Sequence, residues 1–416
     1  MTNTANLDLL IDAAEEEVVR PFQEIDRIAF LRQKKVLDAF DEERVDEACF
    51  HASTGYGYDD RGREVLDRVW ARVMEAESAF VRHSILSGTH AITIALFGLL
   101  RPGDVMLSVT GTPYDTLHGV IGIGKSTASG SLKDFDISFE SIEAKGDSPA
   151  LESIEERLKQ GKVRVVYIQK SPGYSNRPAY SNQFVEETVK LVRAVDPKVF
   201  VVVDNCYCEF CEEHEPCYYG ADLCIGSLIK NPGGGMALCG GYLAGTKTAV
   251  DLCAQRWSCP GIGLEIGASL GQNRDLFKGL FYAPHTVAQA LKTAVFAAAL
   301  FDKIGFVALP NANAKRFDIV QMIQLQTPER VSAFCKGLQS ASPIDSFADP
   351  VFWDMPGYDE KVIMAAGAFV QGASIELSAD APDRAPYTVY FQGGLTYESG
   401  KIGIIAAANE ILKNQP

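Results

Sequence analysis

The chain has 416 residues, 47% of them apolar and 22% charged, the balance of a globular protein too long for one simple core. Its 39 basic and 54 acidic residues leave a formal charge of −15, which argues against nucleic acid or an anionic membrane as partner. Met1 to Asn6 is polar, with no secretory pattern, and the longest apolar runs, Ala91 to Leu100 and Ala294 to Phe301, fall short of the roughly 20 residues that span a bilayer, so a cytoplasmic protein is expected.

Residues 7 to 45 read as an acidic helix with Ile25, Ile28, Val36 and Phe40 on one side, broken or kinked at Pro21; residues 1–55 form an expected N-terminal arm. His51 to Arg61 is rich in glycine and turn formers, and therefore a loop. Leu66, Val69, Val73, Ala76 and Phe80 recur at helical spacing. Strand-like runs follow at Ser84–Leu86, Val105–Val109, Val163–Gln169, Val199–Asp204, Leu223–Gly226 and Gly241–Ala244, separated by helical stretches such as Ala91–Leu100 and Val185–Ala194. That alternation predicts an α/β fold with a mostly parallel sheet covered by helices on both faces, spanning residues 56–285. A helix over Thr286–Phe301 leads to a smaller α/β domain, 286–416, with strands at Ile319–Leu325, Ser374–Leu377 and Tyr387–Gln392 and helices at Glu329–Leu338 and Ser399–Leu412.

Ligands of such sheets bind beyond the carboxyl ends of the strands. Lys230 lies there, at the end of an apolar strand and before Asn231, Pro232 and three glycines. Its amine can form a Schiff base with an aldehyde, and Ser227 can donate to a phosphate; the plainer alternative is a surface lysine before a turn. The β-branched run Val199–Val203 presents Asp204 at its tip, where a carboxylate can keep the pyridine nitrogen of pyridoxal phosphate (PLP) protonated, or simply cap a helix. Ser87-Gly88-Thr89-His90 is a strand-to-helix turn of the kind that holds phosphate on backbone amides, with His90 either near the ligand or packed within the helix. Tyr114, just past another strand, can stack on an aromatic ring and offer a proton, or be a core tyrosine.

Two other patterns compete with that reading. Gly119 to Ser126 matches G-x4-G-K-S, but it follows a predicted helix instead of a strand and opens onto a loop, the wrong context for a nucleotide phosphate loop. Cys206, Cys208, Cys211 and Cys217 crowd together without a second paired C-x2-C, so free thiols are expected and no metal.

Thr54–Asp60, Ser87–His90, Pro113–Leu117, Val203–Tyr207, Gly226–Asn231 and Tyr390–Leu395, in this order, resemble fold-type I PLP enzymes. More narrowly, the chain resembles the Cys/Met-metabolism group of cystathionine lyases and methionine γ-lyase, and within it the branch called aluminium-resistance or methionine-γ-lyase-like proteins. The resemblance implies that Lys230 binds PLP and shuttles protons, Asp204 pairs with the pyridine nitrogen and Tyr114 stacks on the ring. The amides of Gly88 and Thr89, next to Ser87 and His90, would hold the phosphate together with Ser227. Tyr58 and Arg61 would reach a neighbouring subunit's phosphate, making a homodimer or homotetramer with intersubunit active sites, and Arg384 would bind the substrate carboxylate. The implied reaction is β- or γ-elimination from a small sulfur-containing amino acid; transamination, or a non-catalytic PLP or metal-responsive protein, is the alternative. Ile229 stands where better-studied lyases carry a threonine, one phosphate donor fewer.

Overall fold

A computed structural model describes residues 2–125, 129–355, 357–358 and 360–413. Its first sheet is built from β1 (Ser78–Arg82), β2 (Val105–Ser108), β3 (Ser138–Ser141), β4 (Val163–Gln169), β5 (Phe200–Asp204), β6 (Leu223–Ser227) and β7 (Gly241–Gly245). The strand order is β1-β7-β6-β5-β4-β2-β3, with β2 through β6 parallel and β7 antiparallel to both its neighbours. Strands β2, β4, β5 and β6 are buried along almost their whole length, which explains their near-continuous Val, Ile and Leu runs. Because β7 reverses direction between β6 and β1, β1 runs parallel to the central strands, and its carboxyl end opens on the same edge of the sheet.

Ten helices are seen among the described residues: α1 (Thr2–Glu42), α2 (Arg61–Val73), α3 (Gly88–Leu99), α4 (Asp115–Ile121), α5 (Leu151–Lys159), α6 (Asn182–Val195), α7 (Lys247–Trp257), α8 (Asn273–Ile304), α9 (Pro328–Ser340) and α10 (Tyr397–Lys413). A second sheet holds β8 (Val307–Leu309), β9 (Gln321–Gln324), β10 (Val362–Ala365), β11 (Ser378–Pro382) and β12 (Thr388–Gln392), all antiparallel, in the order β10-β11-β12-β9-β8. Helix α8 is buried along most of its length and packs on α1, α10 and the second sheet, so the expected boundary at 285/286 falls inside one continuous helix. No helix is long and apolar enough to cross a membrane, among the described residues.

Four local expectations are corrected. Phe80 is not the end of the α2 periodicity: the helix stops at Val73, Glu75 takes a φ of 57°, and Ala79–Val81 pairs with β7. Ser84–Leu86 is accordingly a turn, closed by the Ile85 amide on the Arg82 carbonyl at 3.2 Å. Ser374–Leu377 is likewise a turn, with the strand displaced to Ser378–Pro382, where Asp380 pairs with Met364 and Tyr390. Pro21 does not interrupt α1; the helix lies along α8, and that packing outweighs the missing hydrogen bond.

The arm is tied to the centre of the molecule by a buried ion pair. Arg32 of α1, 1% exposed, donates to Glu215 Oε1 at 2.6 Å, and Glu215 in turn accepts from the Phe210 amide (3.0 Å) and Asn205 Nδ2 (2.8 Å). Asn205 follows Asp204 directly, so this network braces the loop that leaves β5. Arg32→Ala should cost about 3–5 kcal/mol, because it strands a buried carboxylate; a denaturant midpoint matching wild type would show that the pair carries no such weight.

Candidate active site

The carboxyl ends of β1, β2, β4, β5 and β6 meet β9, β11 and β12 of the second sheet around a cleft. Of the residues singled out from sequence, the cavity gathers Ser87, Gly88, Thr89, Tyr114, Asp204, Ser227 and Lys230. Neighbouring parallel strands explain the central pair. Asp204 ends β5 and is in register with Ile225 of β6, and Lys230 comes three residues after β6 ends.

Asp204 is almost completely buried. Its Oδ1 accepts from the Cys206 amide (3.1 Å) and its Oδ2 from the Tyr167 hydroxyl (3.2 Å). Burial pushes its carboxyl above the ordinary carboxylate range, opposed by Lys230 and by those two donors. The same burial pushes the Tyr167 phenol well up, so it stays a donor. The Lys230 Nζ sits 3.9 Å from the centre of the Tyr207 ring. Burial alone would lower this amine, but Cys206, Tyr207, Asp204 and Tyr114 outweigh it and hold the ammonium well above its usual value. Tyr207 adopts a φ of 73°, a costly conformation for an aromatic residue, fixed by its carbonyl accepting from the Ile319 amide at 3.1 Å.

At the other end of the cavity, Ser87 caps α3, its hydroxyl accepting from the His90 amide at 3.1 Å. Gly88 and Thr89 therefore supply the first amides of a helix whose opening N–H groups have no intrahelical partner, a natural anion site. A Cβ on Gly88 would come within 3.0 Å of Cys206 Sγ and 3.5 Å of Ser227 Cβ, so glycine keeps this corner open. The Ser227 hydroxyl beside it is buried with no hydrogen-bond partner among the described residues. An unpaired buried hydroxyl next to helix-end amides is a donor waiting for an anion. Ser227→Ala should weaken binding of a phosphate-bearing ligand about 10-fold, measurable by equilibrium titration; unaltered affinity would remove Ser227 from the anion site.

Tyr114 caps α4, and its backbone N–H donates to Gln169 Oε1 at 2.9 Å, while Gln169 Nε2 donates to the Ser171 carbonyl at the same distance. The Tyr114 hydroxyl lies 2.9 Å from Thr89 Oγ1. Burial first, and then Asp204 and Cys206, push its phenol well above the ordinary value, so it carries its proton at neutral pH.

Four predicted residues lie elsewhere. His90 accepts from the Leu86 amide through Nδ1 at 3.1 Å and does not line the cavity. Tyr58 is 61% exposed and packs on Tyr56, and Arg61 is paired with Asp46 at 2.6 Å; neither reaches the cavity of its own chain. Arg384 occupies a neighbouring cleft that shares Asp115, Tyr174 and Tyr358 with the main one, donating to the Tyr174 carbonyl at 2.7 Å and pairing with Glu360 at 3.3 Å. Cys206 faces the cavity, whereas Cys208 and Cys211 are buried near Lys170 and Asp318, and burial raises all three thiols. Among the described residues no three His, Cys, Asp or Glu side chains gather as a ligand set. Gly119 lies inside α4 and Gly122 ends it, so no strand precedes this stretch; Ser126 is outside the described residues.

The methionine gamma-lyase family profile matches residues 7–412. The chain belongs to the methionine gamma-lyase family. Among relatives within reach of this methionine gamma-lyase family member, the uncharacterized protein YnbB of Bacillus subtilis is 45% identical over 96% of this chain and 95% of its own. A carbon–sulfur lyase involved in aluminium resistance from Clostridium novyi superposes with a TM-score of 0.94 at 47% identity, covering 98% of this chain and 96% of that one. A Clostridium acetobutylicum protein, proposed to be a cystathionine beta-lyase involved in aluminium resistance, gives 0.95 at 46% identity, over 98% and 95%. The PLP-dependent protein YhfS of Escherichia coli, 14% identical with a TM-score of 0.64, shares the fold alone, over 94% of this chain and 97% of its own. The fold of this family member is thus that of fold-type I PLP enzymes.

Sequence reading missed Gln169, Tyr174, Tyr207, Asp380, Tyr390 and Gln392, all of which line the cavity. Tyr207 and Tyr390 lay inside recognised segments without a role. Asp380 had a signal of its own: it is a lone acid in the apolar alternation of Ser378–Pro382.

Proposed function

We propose that the protein is a PLP-dependent carbon–sulfur lyase acting on a small sulfur-containing amino acid. The observation that carries the reading is a half-buried lysine and a buried aspartate, just beyond the ends of adjacent parallel strands, lining one cavity with a candidate anion site. The donor set fits the cofactor. The Gly88 and Thr89 amides and the unpaired Ser227 hydroxyl would take its phosphate, Asp204 its ring nitrogen, Tyr114 its ring and Lys230 its aldehyde carbon. Bound PLP supplies an aldehyde that captures amines and a protonated ring that withdraws electrons from the neighbouring carbon.

The protein's own groups do the rest. Lys230, as a free amine, would take the proton from the substrate Cα. Asp204 keeps a proton on the ring nitrogen, in a setting where its two donors fix the carboxylate's orientation. Tyr114, protonated through burial, delivers its proton to the departing sulfur. Tyr114→Phe should lower kcat about 100-fold with little change in KM; an unchanged kcat would assign that proton to another donor. Arg384, in the adjoining cleft, would have to release its Glu360 partner to meet the substrate carboxylate with its planar fork. Tyr58 and Arg61 would complete a partner subunit's site in a homodimer or homotetramer; both are exposed and neither lines the cavity of its own chain, which supports this.

The test is product analysis with cystathionine, methionine and cysteine. Elimination releases ammonia, a keto acid and a thiol in equal amounts from at least one of them. Amino-group transfer that leaves the carbon–sulfur bond intact would overturn the lyase reading.

A further inference from the structure

Once Asp204 and Lys230 are assigned to the cofactor, the charged side chains left on the described wall of the cavity are Asp115 and Asp380, both acidic. Asp380 comes from the second sheet, opposite the strand ends that carry Lys230. Among the described side chains, Gln392 Nε2 donates to its Oδ2 in a long hydrogen bond of 3.4 Å, and the Tyr174 hydroxyl is also directed toward it. Its Oδ1 is buried with no partner, and no arginine or lysine forms an ion pair with it among the described residues. Burial raises this carboxyl to about 6, so it is largely ionised at neutral pH. A half-buried carboxylate with one oxygen buried and unpartnered is costly to the free protein, and a cationic ligand would remove that cost.

Aromatic faces surround the same spot. Tyr174 and Tyr390 have ring centroids 5.1 Å apart, Tyr174 and Tyr358 are 5.6 Å apart, and all three line the cavity. Several aromatic faces with one carboxylate are the chemistry that recognises an ammonium group. A purely structural carboxylate would be expected to have full hydrogen bonding, which Asp380 lacks.

We propose that Asp380, walled by Tyr174 and Tyr390, is a specificity site for a positively charged group on the far arm of the substrate. The assignment rests on the lyase reading for its chemical meaning: the sulfur-bearing arm that departs carries an ammonium, as in a thioether joining two amino acids. It does not extend to simple alkyl thioethers such as methionine, whose departing arm is uncharged.

Binding and turnover test it separately. Calorimetric titration of the PLP-loaded protein compares 4-(trimethylammonio)butanoate, which cannot condense with an aldehyde, with 5,5-dimethylhexanoate, in which carbon replaces the nitrogen. Wild type should bind the cation at least ~10-fold more tightly, and Asp380→Asn should abolish the preference. Equal affinities in wild type, or a preference retained by Asp380→Asn, overturn the proposal. Should Asp380→Asn fail to fold, Tyr174→Leu removes an aromatic wall and should also erase most of the preference; a preference it leaves intact counts against the site. In turnover, cystathionine should exceed S-(3-carboxypropyl)cysteine, which lacks only the far amino group, by about 30-fold in kcat/KM. Asp380→Asn should collapse that ratio, whereas an equal loss on both substrates would indicate a structural role and overturn the proposal. Thiol release from neither thioether, with the cation preference intact in titration, would sink the lyase reading and leave the cation site standing.

Discussion

Lys230→Ala should lose at least ~1,000-fold in thiol release while its circular dichroism spectrum stays that of wild type, as expected when the group that both holds the cofactor and moves the Cα proton is removed. The visible absorbance of the lysine-bound cofactor should vanish with it. The fully buried Lys170 cannot substitute: it does not line the cavity, and its Nζ is held by Asn182 Oδ1 at 2.6 Å and Glu212 at 3.3 Å. Lys230→Arg sharpens the test. It restores the cation that faces Cys206, Tyr207 and Asp204, but not an amine that can condense or give up its proton near neutral pH. If electrostatic support of the pocket were the role of Lys230, the arginine variant would recover activity. Recovery, or turnover surviving in Lys230→Ala, removes the lysine from the chemistry.

The reason Lys230 and Asp204 were legible in the sequence is geometric. Buried parallel strands must be apolar on both faces, so Val199–Val203 and Leu223–Gly226 announce themselves, and a charged residue just past such a run has the ligand edge of the sheet as its natural destination. The turn Ser87–His90 was legible for the same reason, as a small-residue link into an apolar helix. What stayed hidden depends on contacts distant along the chain. The pairing of β1 with β7 across some 160 residues turned Phe80 from an apparent helix position into a strand residue, and no local spacing encodes that partner. The short edge strand β3, with no fully buried residue, left almost no hydrophobic pattern to read. The second sheet's contribution, Asp380, Tyr390 and Gln392, reaches the cavity only because β11 and β12 fold back over the first sheet's carboxyl edge. His90 misled in the opposite way: a histidine in a phosphate-site turn invites a ligand role, but its ring satisfies the Leu86 amide.

Asp204→Asn is expected to separate binding from chemistry. The substitution keeps the side chain's shape, and Lys230, Ser227 and the α3 amides remain to hold the cofactor, so PLP should stay bound near full occupancy. Catalysis should fall by at least ~100-fold, about 2.7 kcal/mol of barrier, because a neutral amide cannot keep the ring nitrogen protonated as a carboxylate does. Local hydrogen bonding adds to the loss. The carboxylate accepts from both the Cys206 amide and the Tyr167 hydroxyl, whereas an asparagine has one acceptor and must turn its amino group toward one of these two donors. Asp204→Asn combined with Tyr167→Phe removes that clash without restoring the charge. If the double variant regained wild-type turnover, hydrogen-bond geometry would be the property that matters. If instead it stays as slow as the single variant while bound PLP is unchanged, negative charge is what Asp204 contributes. A loss of activity that tracks loss of cofactor, with turnover per bound PLP preserved, would place Asp204 among the holding residues alone.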